Sequence, residues 1–518
     1  MFTNKAFKLL KFSQKNFQKN KVLYPFCFAM PEHVKTQDAS GLLAQIMINK
    51  QENYRIEQYY TACLAEATYY IQSGNEVAIV DPLRDTKPYI EKAKENGAQI
   101  KYILMTHFHA DFVSGHEDLA AKTGAKIIYG PNADPGFKAH IGKDNEKFEL
   151  GEIQIQLLHT PGHTMESSTY MLLNKNQPEA IFTGDTIFLN EVGRPDLAVK
   201  QGSITSQDLA SHLYDSIHNK IMGLPDSVML YPGHGPGSPC GKSIGPGTFD
   251  TLGNQKKISP PLQILNKQEF IEQVTTGLQA PPNYFFHDVS LNKSGGSKDI
   301  DLIYERNSKP LSVQEFKNYI NEGYTVIDTR KYNTFLAKFI PQSYNIDLSQ
   351  SFALWVGKLM DPSKKFVIIA EEGQGKEAII RLGRIGYDNV VGYLEGGVQA
   401  WEKAGEKLQT VDLISAENFN NILQSQENIQ SLDVRNDHEF QAERLPISKN
   451  IPLWELEDVI LKNSEIFDKE KIVYVNCARG ARSVSGASIL AANGYKKLAS
   501  IDGGLNALKE AGAKINYN

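Results

Sequence analysis

Apolar and polar positions along the chain change period several times, and those changes mark its elements. From about residue 45 onward, strand-like runs alternate with helix-like ones. TYYIQS (68–73), EVAIVDP (76–82) and IKYILMTH (100–107) are rich in β-branched and aromatic residues and predict strands, and IFTGDTIF (181–188) predicts a further buried one. PYIEKAKENG (88–97) predicts a helix that stops at Gly97. NKSGGSKDI (292–300) has the composition of a linker, and AGEKLQTVD (404–412) is a shorter break.

The two stretches separated by that shorter break repeat one another. VIDTR (326–330), FVIIAEEGQGKEAIIRLGRIGYDNV (366–390) and LEGGVQAW (394–401) correspond in order to SLDVR (431–435), IVYVNCARGARSVSGASILAANGYKKL (472–498) and IDGGLNAL (501–508). Each copy runs strand, Asp-x-Arg, strand, loop, helix, Gly-Tyr, strand, Gly-Gly, helix. That alternation implies a parallel sheet with both faces covered. The expected organisation is three folded domains, at about 45–295, 306–407 and 410–518.

Composition narrows the class. The chain has 518 residues, with 55 Lys+Arg against 60 Asp+Glu and a net charge of −5. That balance offers no basic footprint for nucleic acid, and no apolar run is long enough to span a membrane. Cys27, Cys63, Cys240 and Cys477 form no CxxC pair, which argues against a disulfide scaffold and fits a reducing compartment. Residues 1–30 differ from the rest: six lysines interleave with apolar residues, and no acid precedes Glu32. This basic amphipathic start has the character of a mitochondrial transit peptide, placing the mature protein in the matrix; without that role the expected location is cytoplasmic.

Metal-type residues cluster in the first domain. THFHADF supplies His107, His109 and Asp111, TPGHT supplies His163, TGDT supplies Asp185 and YPGHG supplies His234. Several stand where a strand gives way to a Gly-, Thr- or Pro-flanked turn, so they can converge at one sheet end. Imidazoles with a carboxylate suit zinc, or iron(II) where two His and one carboxylate leave open positions.

THFHAD, TPGHT, TGDT and PGHG, in that order, resemble the metallo-β-lactamase fold, which implies an αββα sandwich with a metal site at one edge. Members of that family with two metals carry HxHxDH, and Phe112 stands where the last His would be. The resemblance therefore points to the persulfide dioxygenase branch, which holds one iron. CLAEATYYIQS (63–73), HADFVSGHEDLAAKTGAKIIYGP (109–131) and HGPGSPCGKSIGPGTFDTLGNQKK (234–257) resemble the same branch. It implies His107, His163 and Asp185 as ligands to one Fe(2+), with Zn(2+) the alternative. His109 and Asp111 would then orient ligands and bound water, with His234 near the open face. Cys240 is read as either a thiol near the substrate channel or a packed residue, and Cys63 as core.

In the third domain NCARGARS places Cys477 between a strand and a helix. Inward-pointing loop amides, the helix dipole, Arg479 and Arg482 would favour a thiolate there. LDVR (432–435), HEF (438–440), CARGARS (477–483), GYKKL (494–498) and IDGG (501–504) resemble rhodanese, the sulfurtransferase fold. The middle copy carries AEEGQGKE, and sequence alignment sets Glu371 against Cys477, so this copy is expected to be inactive.

The resemblance implies an αββα metallo-β-lactamase sandwich followed by two rhodanese-like α/β parallel-sheet domains. The activity it implies is iron-dependent oxidation of a small-molecule persulfide by O2, with glutathione as the expected carrier thiol. Sulfite and thiosulfate would connect that reaction to sulfur transfer at Cys477, and oligomers are compatible with it. A glyoxalase II-like thioester hydrolase and a non-catalytic persulfide relay are the competing readings.

Overall fold

The computed structural model describes residues 32–37, 43–199, 203–278, 280–282, 284–297, 299–348 and 351–517. The leader expected at residues 1–30 lies outside the described residues. No helix among them is long and apolar enough to cross a membrane.

The first domain is built on two sheets. One has eight strands in chain order, from Glu32–Gln37 to His140–Ile141, antiparallel as far as Glu76–Val80 and parallel from there through Gln99–Leu104 and Lys126–Tyr129. The other has six, in the order Asp250–Thr251, Met229–Pro232, Gln177–Gly184, Ser168–Asn174, Ile153–His159, Lys147–Leu150. Successive side chains on a strand face opposite ways, which divides each strand between two layers. Tyr69, Ile71, Val80 and Leu104 of the first sheet meet Ile155, Leu172, Phe182 and Tyr231 of the second, making the central core. Their neighbours Tyr70, Ile79 and Ile103 face outward, under Tyr89 and Ala93 of helix Lys87–Glu95 and Leu119 of helix His116–Thr123. Beyond the second sheet, Leu158, Met171, Ile181 and Leu230 pack on Leu213 of helix Ser206–Ser216 and Phe270 of helix Lys267–Thr275. Each of these fully buried large side chains contributes roughly 1.5–3 kcal/mol. The architecture is the αββα sandwich.

The repeated halves each form a five-stranded parallel sheet. The orders are Pro310–Leu311, Val390–Leu394, Phe366–Ile369, Thr325–Asp328, Ser343–Asn345 and Asp412–Ile414, Leu498–Ile501, Val473–Asn476, Gln430–Asp433, Ser448–Asn450. The Asp-x-Arg signature has the same structural task in both. Arg330 Nη2 donates to Asp328 Oδ2 and Lys338 O, as Arg435 Nη2 does to Asp433 Oδ2 and Glu443 O. These buried pairs fix the chain leaving the sheet.

The stretch expected to be a linker is partly a strap. Helix Tyr284–Ser294 carries Asn292, whose Nδ2 donates to His109 O at 2.8 Å and Phe112 O at 2.7 Å while its Oδ1 accepts from Ser114 N at 2.8 Å. The composition of 292–300 describes the turn after this helix and misses the buried Asn292 at its own start.

The middle domain docks beside the metal-type residues. Arg84 pairs with Asp388 at 2.7 and 2.8 Å, Arg384 pairs with Asp85 at 2.8 Å on each arm, and Val113 N donates to Arg384 O at 2.7 Å. Phe112 sits in the same hydrophobic cluster as Tyr284, Phe352 and Val356, so its side chain belongs to the seam between domains. The middle domain joins the third through Phe335 and Phe339, which share a cluster with Val484 and Ala487, and through Asn345 N donating to Ser488 Oγ at 2.9 Å.

Candidate metal centre and cysteine loop

His107, His163 and Asp185 converge. Their ligand atoms lie within 4.8 Å of one another, and all three residues are buried. Asp185 Oδ2 stands 3.9 Å from His107 Nε2 and 3.4 Å from His163 Nε2. The other ring nitrogen of each histidine is already committed. His163 Nδ1–H donates to Arg194 O at 2.9 Å. His107 Nδ1 contacts Thr106 Oγ1 at 2.9 Å, and that hydroxyl gives its hydrogen to Asp81 Oδ2 at 2.7 Å, which leaves it to accept from His107. Both Nε2 atoms are thereby turned toward Asp185, the arrangement in which neutral imidazoles serve a metal.

Asp185 itself shows what the centre takes. Oδ1 accepts from His234 Nδ1 at 2.9 Å, whereas the buried Oδ2 has no hydrogen-bond partner. A buried carboxylate oxygen without a partner is costly unless a cation meets it. The donor set of two imidazole nitrogens and one carboxylate oxygen fits a divalent transition metal. Burial lowers the affinity of His107 for a proton, as does neighbouring His109, keeping the ring in its ligand form. Burial opposes ionisation of Asp185, but His234, which also donates to Oδ1, outweighs it and holds the carboxyl well below its usual range.

His109 and Asp111 stand beside this triad. His109 Nε2 is 3.1 Å from Asp81 Oδ1. Asp81 also accepts from Thr106 N, and it adopts a left-handed backbone at φ 48°, the kind of stored strain that clusters at functional sites. The role of Asp81 escaped sequence reasoning; its position at the end of EVAIVD, directly before Pro82, was the available signal. His234 Nε2 is 2.7 Å from Asp111 Oδ2, so the ring lies between two carboxylates. Burial disfavours its charge, yet Asp111 and Asp185 raise its pKa well above the ordinary value.

Asp111, His234 and Cys240 make a second cluster, again with ligand atoms within 4.8 Å of one another. Cys240 meets both readings: it is packed in the hydrophobic cluster at the domain seam and stands beside Asp111 and His234, with its thiol pushed up by burial, Asp111 and Asp185. Cys63 is core, as its sequence context implied, although Arg384 Nη1 reaches its sulfur at 3.9 Å. A cavity of about 110 Å³ opens beside Asp111. Cys63, Pro239 and Tyr284 line it from the first domain and its strap, and Ala353 and Leu354 from the middle domain.

Cys477 follows strand Val473–Asn476 and precedes helix Ala481–Ala492. Its sulfur accepts from Gly480 N at 3.1 Å, with Gly480 at φ 101° turning that amide inward. The paired glycines Gly503 and Gly504 pin the loop from behind: Leu505 N donates to Cys477 O at 2.7 Å. Arg482 is bound by Glu439 through two contacts of 2.7 Å, whereas Arg479 is exposed.

The alignment of Glu371 with Cys477 is corrected by strand register. Ile369 pairs with Asp328 as Asn476 pairs with Asp433, so the residue that follows, Ala370, stands where Cys477 does. Gly373 at φ 81° then matches Gly480. Glu371 is one position further on, and the middle loop presents a methyl group in place of a thiol.

These two centres can be set against known proteins. The model of the metallo-beta-lactamase superfamily matches residues 62–234, and that of the rhodanese-like domain matches residues 312–404 and 415–511. The crystal structure of a metallo-beta-lactamase from Staphylococcus aureus subsp. aureus COL superposes with a TM-score of 0.60 at 30% identity, covering 66% of this chain and 99% of that one. The chain belongs to the metallo-β-lactamase superfamily. Two rhodanese-like domains follow the metallo-β-lactamase domain. Among curated relatives, a probable hydroxyacylglutathione hydrolase of Schizosaccharomyces pombe is 35% identical over 30% of this chain and 58% of its own length. The human mitochondrial persulfide dioxygenase ETHE1 is 26% identical over 42% of this chain and 79% of its own. The first curated relatives are matched over less than two thirds of their length, at 58%, 65% and 55%.

Proposed function

We propose that this metallo-β-lactamase-fold protein is an iron-dependent persulfide dioxygenase whose third domain transfers sulfane sulfur through Cys477. The observation that carries the reading is the convergence of His107, His163 and Asp185 with two Nε2 atoms and one unpartnered carboxylate oxygen aimed at a common point. Two imidazoles and one carboxylate with open positions are the donor set of non-haem iron oxygenases. Bound iron(II) would supply affinity for a persulfide sulfur and redox reactivity toward O2, which zinc lacks.

The chain's own groups prepare the site. Arg194 O, and Thr106 backed by Asp81, hold the two ligand rings in one tautomer. His234 stands between Asp111 and Asp185 and orients the ligand carboxylate by donating from Nδ1 to Asp185 Oδ1. In this reading the persulfide enters from the side of the cavity beside Asp111, which has the middle domain as one wall. The balanced reaction consumes persulfide, O2 and water and releases the thiol, hydrogensulfite and a proton.

The human persulfide dioxygenase relative and the rhodanese-like domains in the same chain support this reading. Its test is oxygen uptake by the iron-loaded full-length protein on addition of glutathione persulfide. Uptake matched by sulfite or thiosulfate is expected; no uptake with iron bound would sink the proposal.

The second cluster favours one other reading, a two-metal thioester hydrolase. Cys240 joins Asp111 and His234 as a third donor while Phe112 faces the domain seam, and several relatives are named hydroxyacylglutathione hydrolases. It predicts two metals per chain and thioester turnover without O2, against one metal per chain for the dioxygenase.

A further inference from the structure

Away from the metal centre, a second cavity opens where all three domains meet. It has a volume of about 410 Å³, within the range of pockets that hold small organic ligands. Its walls include Pro281 and Pro282 from the connector, Lys358 from the middle domain, and Asn436, His438 and Trp454 from the third. Among the described residues of its wall the one acid, Asp437, is exposed.

Lys358 lies in the last turn of helix Phe352–Leu359 and is half-buried. No carboxylate among the described residues lies within ion-pairing distance of it. Its ammonium rests instead over two indoles, 4.9 Å from the ring of Trp454 and 5.7 Å from that of Trp355. Burial lowers its pKa, helped by Arg482 of the third domain and Arg194 of the first. Both arginines have their own carboxylates, Glu439 and Asp196. Lys358 does not. A partly buried ammonium without a carboxylate partner, beside a cleft with proline and indole walls, is complementary to an organic anion. One helix links the cleft to the cysteine loop. Asn436 and His438 flank the start of helix Asp437–Ala442, and Glu439 of that helix is bound to Arg482 of the helix that follows Cys477.

We infer that this cleft binds the carboxylate-bearing, peptide-sized thiol, or its persulfide, that exchanges sulfur with Cys477. Lys358 pairs a carboxylate, while Trp454 and the prolines cover the backbone of the ligand. The inference rests on the sulfur-transfer role proposed for Cys477. In that step the Cys477 thiolate attacks the terminal sulfur of the persulfide, the S–S bond breaks, the carrier leaves as thiolate, and Cys477 retains the sulfur as a persulfide with no net redox change. The thiol-less middle domain then supplies the cation of this junction.

The chain has three tryptophans, and two of them touch Lys358, so intrinsic fluorescence reports on this cleft directly. Full-length protein titrated with glutathione is expected to show a saturable fluorescence change that Trp454→Phe reduces. Lys358→Ala should weaken binding about tenfold or more, the worth of a hydrogen-bonded charge. It should raise KM for glutathione persulfide in sulfur transfer while leaving kcat within about twofold, the signature of lost ground-state binding. Transfer from thiosulfate should stay unchanged. Glutathione binding that is absent, or equal in Lys358→Ala, overturns the inference, as does displacement of glutathione by thiosulfate alone at equal concentration, which would mark a simple oxyanion site. If wild-type Cys477 accepts sulfur from no donor while glutathione still binds through Lys358, the reading of Cys477 fails and the binding site stands.

Discussion

Arg84 and Asp388 close a bidentate ion pair between the first and middle domains, at 2.7 and 2.8 Å, with Arg84 only 1% exposed. Two residues of the sheet-to-helix turn, Arg84 and Asp85, each find an opposite charge at the end of one helix of the middle domain. Asp388→Ala removes the carboxylate from a buried guanidinium that also donates to Gly383 O. The expected cost is below the roughly 3–5 kcal/mol of breaking a fully enclosed pair, because Asp388 keeps some contact with water. Calorimetric unfolding should show the docked domains separating into distinct transitions. An unchanged single transition would mean that the seam is held by the Phe112 cluster alone.

The centre makes two graded predictions about metal. Asp185→Ala removes the unpartnered oxygen and should leave the folded protein without metal, while sulfur transfer at Cys477 persists. Thr106→Val keeps the shape but cuts the link from Asp81 to His107. It should weaken metal affinity about 10–100-fold, as expected for loss of a group that orients a ligand. Metal analysis after dialysis against a graded chelator series checks both. Equal retention in Thr106→Val and wild type would show that the link does not hold the ring.

The cluster of His107, His109, Asp111, His163, Asp185 and His234 was legible because several of them follow an apolar strand in a turn of small residues, where side chains at a sheet end converge, but only the family resemblance singled out His107, His163 and Asp185 among them. Phe112 was legible as a missing ligand, but not as a packing residue. Its partners Phe352 and Val356 lie some 240 positions away in another domain, beyond any local pattern. Cys240 was ambiguous for the same reason, since a Gly/Pro-rich loop leaves no periodicity to say where its side chain points. The Glu371 alignment slipped by one because the loops share no residue pattern except Gly373 and Gly480; strand pairing supplied the register that letters lacked.

Gly504 tests how the cysteine loop is held. A Cβ at this position would sit 2.3 Å from Cys477 O and 2.9 Å from Arg479 N, at a backbone φ of +59°. Gly504→Ala must therefore displace the loop backbone, beyond a strain cost of roughly 1–3 kcal/mol. Thiosulfate-dependent transfer should fall steeply with metal content unchanged. Retained transfer would show that the loop keeps its shape without the Gly-Gly support.

His116 gives the acid response a named source. It is fully buried at the start of helix His116–Thr123, its ring 4.8 Å from that of Phe137 and without hydrogen-bond partners. Burial, with some help from His109, lowers its pKa from 6.5 to about 3. The unfolded chain therefore binds a proton below pH 6.5 that the folded chain refuses. Stability contributed by the neutral ring is fully present above 6.5 and declines as pH falls toward 3, with a limiting slope of about 1.4 kcal/mol per pH unit from this one group. His116→Phe keeps the aromatic contact and removes the titration. Urea unfolding between pH 7 and 4.5 should show a shallower loss of stability for the variant than for wild type, and parallel curves would assign the acid sensitivity elsewhere.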